Sequence, residues 1–112
     1  MEIASDTEQQ VSDCLHRLGI PHERSFLCAK SERTIDIAVE LGGLRLALEV
    51  DGPTHFLKEP EHTLNGFTRF RNRMLAAHGW TVLSVPYFFW DFRTPEQQDE
   101  YLHKVLSEYL SN

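Results

Sequence analysis

The chain has 112 residues with 17 acidic against 11 Lys and Arg side chains, giving a formal net charge of −6 and a pI near 5.4. That length suits one domain with one ordinary core. The acidic balance excludes a uniformly basic nucleic-acid binder, so any such contact must be local. At 41% hydrophobic and 25% charged residues, the composition also excludes a disordered or low-complexity chain.

Ser5 and Glu8 have the spacing of a capping box, and Val11, Cys14, Leu15 and Leu18 recur at helical intervals. A first helix is predicted from about Thr7 to Leu18, stopped by Gly19 and Pro21. A short apolar strand follows at Ser25 to Ala29. Alternating strands come next at Thr34 to Leu41 and at Leu44 to Val50, joined by a Gly42-Gly43 turn. Phe67, Phe70, Met74 and Ala77 mark the core side of a second helix ending at Gly79, and Trp80 to Val85 reads as a fourth strand. Thr94 and Pro95 open a last helix with the stripe Leu102, Val105, Leu106, Tyr109 and Leu110. The order αβββαβα predicts an α/β domain with a central mixed four-stranded sheet flanked by helices.

Cys14 and Cys28 are too few for a disulfide framework and too far apart for a zinc motif, so both are expected to be small buried residues. The uncharged stretch from Met74 to Trp90 is broken by His78, Gly79 and Pro86, so no membrane contact is expected. The amino terminus has no basic region followed by an apolar one, so no secretory signal is expected.

The hairpin fixes a register. A two-residue Gly42-Gly43 loop opposes Leu41 to Leu44. Ile35, Ile37, Val39 and Leu41 then share the core face with Val50, Leu48, Leu46 and Leu44. On the other face Glu40 meets Arg45, Ala38 meets Ala47, and Asp36 meets Glu49, with Thr34 opposite Asp51. Like charges directly opposed on a sheet repel. Three devices relieve that repulsion: a raised pKa, a cationic side chain, or a divalent cation with hard oxygen ligands such as Mg²⁺. Gly52-Pro53 ends the strand and lets the loop bring His55 back toward Asp51 and Glu49. Arg71 falls on the inward side of the second helix and needs a buried anion, for which the Asp36, Glu49 and Asp51 cluster is the natural partner. Arg69 and Arg73 form an outward stripe. From His62 to Trp90 there is no acidic residue, while Arg69, Arg71 and Arg73 contribute positive charge and Tyr87 and Trp90 offer aromatic rings.

The run Glu49-Val50-Asp51-Gly52-Pro53-Thr54-His55-Phe56, followed by Leu64, Arg71, Leu75, Gly79-Trp80, Val85-Pro86-Tyr87 and Trp90, resembles the RAP domain, a family of RNA-binding proteins abundant in apicomplexans and found in plant and algal organelles. The resemblance covers about Thr34 to Leu110 and implies a PD-(D/E)XK, restriction-endonuclease-like fold. It implies Asp36 and Glu49 as the superfamily's metal-ligand carboxylates, with an acid of the first helix such as Glu8 as an accessory. Asp51 stands where that motif carries lysine, and Lys30, Lys58 or Arg71 would have to supply the missing cation.

Three functions follow from the resemblance. The first is a single RNA-binding domain, expected to lie carboxy-terminal to a helical-repeat region in a larger mitochondrial or chloroplast protein, using Arg69, Arg73, Lys58, Tyr87 and Trp90. The second is a Mg²⁺- or Mn²⁺-dependent nuclease with Asp36 and Glu49 on the metal and Asp51, His55 and Arg71 assisting. The third is a degenerate nuclease fold, without cofactor, that serves as a protein-interaction platform.

Overall fold

The computed structural model describes residues 3–110 apart from 31 and 61, and leaves the side chains of residues 3–6 and 110 undescribed. In chain order it contains α1 (Ile3–Arg17), β1 (Glu23–Cys28), β2 (Arg33–Leu41), β3 (Leu44–Asp51), a single 3-10 turn (Pro53–His55), α2 (Gly66–Ala77), β4 (Thr81–Pro86), the one-turn α3 (Tyr87–Trp90) and α4 (Pro95–Leu110). The α/β class and the mixed four-stranded sheet flanked by helices agree with the expectation. The first helix begins four residues earlier than expected, so Ser5 lies inside it and not at its cap. The side chain of Leu110, assigned to the stripe of the last helix, lies outside the described residues.

The sheet order is β1-β2-β3-β4, with the first two pairings antiparallel and β3-β4 parallel. Between β2 and β3 the register is the expected one, from Leu41 opposite Leu44 to Ile37 opposite Leu48. Gly42 and Gly43 make it by taking φ of +55° and +86°, the left-handed backbone that a tight hairpin loop requires at both central positions. Arg45 reaches back to Glu40 across the hairpin, 3.3 Å away.

One sheet face carries Ile37, Val39, Leu46, Leu48, Val50 and Val85. It packs on Val11, Cys14 and Leu15 of α1, Leu102 and Leu106 of α4, and Trp90. The opposite face carries a smaller cluster of Cys28, Ile35, Ala38, Ala47, Leu75 and Trp80, covered by α2. Burying these apolar side chains contributes about 1.5–3 kcal/mol for each large one. Both cysteines are buried thiols, as expected.

Three expectations are corrected. Ile35 packs in the second cluster and not beside Ile37, because the antiparallel ladder with β3 stops at Ile37 and the alternation of β2 breaks at Asp36. Ser25, opposite Asp36 in the β1-β2 register, has a left-handed φ of 51°, while pairing continues on both sides of it. Phe67 and Phe70 are 73% and 45% exposed, because α2 turns Thr68 and Leu75 to the sheet instead. Trp90, expected on a nucleic-acid surface, is completely buried; its indole N–H donates to Gln10 Oε1 at 2.9 Å, so neither ring face can meet a base.

Candidate functional site

The carboxyl ends of the parallel strands β3 and β4 hold a buried ionic cluster. Glu49 and Asp51 project from alternate positions of β3 on the α2 face, and both are fully buried. Asp51 is well supplied with donors. His55 Nδ1 lies 2.6 Å and Arg71 Nη2 3.3 Å from Asp51 Oδ1, and the Ser84 hydroxyl donates to Oδ2. The loop geometry explains the histidine: Gly52-Pro53 turns the chain, the His55 amide donates to the Gly52 carbonyl, and the imidazole returns to the strand end. Asn65 explains the arginine. Its side chain caps α2 by accepting from the Thr68 amide at 2.9 Å and donates to the Thr54 carbonyl, which sets where the helix starts and so where Arg71 falls.

Glu49 is less well served. Neither of its oxygens meets a donor group, although the Asp36 carboxylate is near enough to accept the proton of a neutral Glu49, and its nearest cation is Arg71 Nη2 at 3.8 Å. Burial raises its pKa to about 8, helped by the negative charges of Asp36 and Asp51 and opposed by Arg71. Asp36 is not in ladder pairing with Glu49. Its carboxylate accepts the Val50 amide at 2.9 Å, in the place of a strand carbonyl. The two acids remain close enough for Asp36 to raise the proton affinity of Glu49.

Among the described residues no group of three or more His, Cys, Asp and Glu side chains is arranged to hold a metal ion, and Arg71 places its guanidinium between Glu49 and Asp51. The first-helix acid Glu8 is engaged elsewhere, 2.7 Å from Arg24 of β1. Of the three cations weighed for the missing lysine, Arg71 reaches the cluster, while Lys30 and Lys58 are exposed. Ser84 was missed by sequence reasoning; the parallel β3-β4 register that sets Glu49 beside Ser84 would have shown it.

Outside the cluster, Arg69 and Arg73 are exposed on the outer face of α2, as expected. Tyr87 is half-buried in an aromatic group with Phe56, Phe88 and His62, whose ring stacks on Phe88 at 3.7 Å. No described helix is long and apolar enough to cross a membrane.

The arrangement defines an α/β domain with an internally compensated acid cluster at one end of its sheet and an arginine-bearing helix over it. The chain belongs to the RAP domain family, whose sequence model matches residues 48–105, just over half of its length. It is also 40% identical over 63 residues to a RAP domain-containing chloroplastic protein of Oryza sativa subsp. japonica, an overlap of 55% of this chain and 10% of that protein. The chain thus spans about a tenth of the curated relative it matches. No solved structure matches it.

Proposed function

We propose that this domain is an RNA-binding module with a restriction-endonuclease-like αβββαβα order, working within a larger organellar protein in RNA processing or stability. A chloroplast setting is favoured over a mitochondrial one by the rice relative, and a helical-repeat region is the expected neighbour in the parent protein. The observation that carries the reading is the exposure of Arg69 and Arg73 within a stretch, His62 to Trp90, that has no acid in a chain of net charge −6. Concentrated positive charge of this kind meets phosphates. Lys58 is exposed in the segment that follows β3, and Tyr87 directly follows β4. Arg71, His55 and Ser84 act inward, holding Asp51, and leave the cluster as a structural device.

A metal-dependent endonuclease is the second reading, and the observation in its favour is that no donor group reaches either oxygen of the buried Glu49. Labelled single-stranded RNA titrated with the protein, with and without Mn²⁺, separates the two. The expected result is metal-independent, salt-sensitive binding of intact RNA, with Arg69→Ala and Arg73→Ala each reducing the slope of log K against log salt by about 0.7. Absence of binding at roughly 100 µM protein overturns the proposal. Cleavage that requires Mn²⁺ and disappears in Asp36→Ala replaces it with the nuclease.

A further inference from the structure

On α2, positions 67, 70 and 73 lie three apart and positions 69 and 73 four apart, so their side chains are neighbours on the helix surface. Phe67, Phe70 and Arg73 therefore form one outward ridge, and Arg69 stands beside its end. At about 100° per residue these four occupy the half of the helix opposite Thr68 and Leu75, the two residues it buries. Phe67 is 73% exposed and Phe70 45%. Packing does not ask for two phenylalanines there, since neither belongs to the cluster under the helix.

Arginines stand beside the rings. Arg33, at the start of β2, holds its guanidinium 5.7 Å from the centre of the Phe70 ring. Arg69 and Arg73 are on the same helix, and no acid occurs between His62 and Trp90. A partner for this face needs negative charge to meet the arginines and flat apolar surfaces to meet the rings. An apolar protein surface supplies the second without the first. A duplex supplies the first but keeps its base faces stacked inside the helix, whereas unpaired RNA offers both.

We propose that Phe67 and Phe70 are stacking platforms for unpaired bases, which makes the outer face of α2 a site for single-stranded rather than duplex RNA. This rests on the RNA-binding reading above and adds the strand state of the RNA and the residues that sense it. The arginines fix the backbone and the rings hold the bases, with little sequence preference because every base has a π-face.

The test compares the 112-residue chain with Phe67→Ala/Phe70→Ala and Phe67→Tyr/Phe70→Tyr. Binding is measured by fluorescence anisotropy to a labelled single-stranded RNA and to a duplex of the same length, and thermal melts confirm that each variant is folded. The alanine pair is expected to weaken single-strand binding by at least about fivefold while leaving duplex binding and the salt slope unchanged. The tyrosine pair, which keeps the ring faces, is expected to bind single strands as the wild type does. Wild-type binding of single-stranded RNA that survives the alanine pair overturns the inference, leaves the RNA-binding reading intact, and assigns the two rings to a protein contact. Failure of the wild type to bind either RNA overturns both.

Discussion

Glu49→Gln offers a direct test of the buried cluster, because the glutamate has a native pKa of about 8 against an ordinary value of 4.5. Between those limits the native state holds a proton that the unfolded chain has released. Stability is therefore fully supported at low pH and lost as pH rises, at about 1.4 kcal/mol per pH unit, until the native carboxyl also ionises near its own pKa. From about pH 5.5 to pH 7 this single group accounts for about 2 kcal/mol of lost stability. Glutamine keeps the shape and the neutral charge but does not titrate. Urea denaturation at a series of pH values, followed by the fluorescence of the buried Trp80 and Trp90, measures the effect. The stability of the variant relative to wild type should rise by about 2 kcal/mol over that interval. Parallel curves for the two proteins would refute the reasoning, since they would show that Glu49 is ionised in the native state throughout.

Replacing Arg71 by Met removes the guanidinium that Glu49 and Asp51 share, and is expected to cost about 3–5 kcal/mol at neutral pH in the same urea assay. Because Arg71 opposes the shift at Glu49, its loss should also extend the pH-dependent decline to higher pH. Trp90→Ala is expected to cost about 3–5 kcal/mol, while Phe92→Ala, at a residue 85% exposed, should change stability by less than about 0.5 kcal/mol. Equal effects at the two positions would remove Trp90 from the core.

The hairpin was legible because it is a local matter: two glycines free to take positive φ fix the turn, and the turn fixes every pair from Leu41 and Leu44 to Ile37 and Leu48. The proximity of Asp36 to Glu49 followed from that register only in outline. The left-handed backbone at Ser25 and the capture of the Val50 amide by Asp36 are events between strands that no alternation of residue types announces. Arg71 was placed correctly because an inward arginine must find an anion. The same helical wheel put Phe67 and Phe70 on the core side, since hydrophobicity alone assigns phenylalanine inward. What rotates α2 is the pairing of Arg71 with Asp51, together with Leu75, and that pairing leaves the two rings outside. Trp90 looked available as one of four consecutive aromatics; the one-turn helix α3 sends it into the core and leaves Phe89 half exposed.

The stretch that recurs across the family, residues 48–105, is smaller than the unit that folds. It begins inside β3, so a fragment cut to those limits would lack α1, β1, β2 and the first half of β3. With them would go Val11, Cys14, Leu15, Ile37, Val39 and Leu46, which form one wall of the main core. The inner edge of what remained of β3 would be left with its peptide groups unpaired, a template for aggregation. Asp36 would go as well, and with it the acceptor for the Val50 amide. In this fold the shared motif supplies the cluster and the outer helix, while the preceding residues supply the hydrophobic support on which both are mounted.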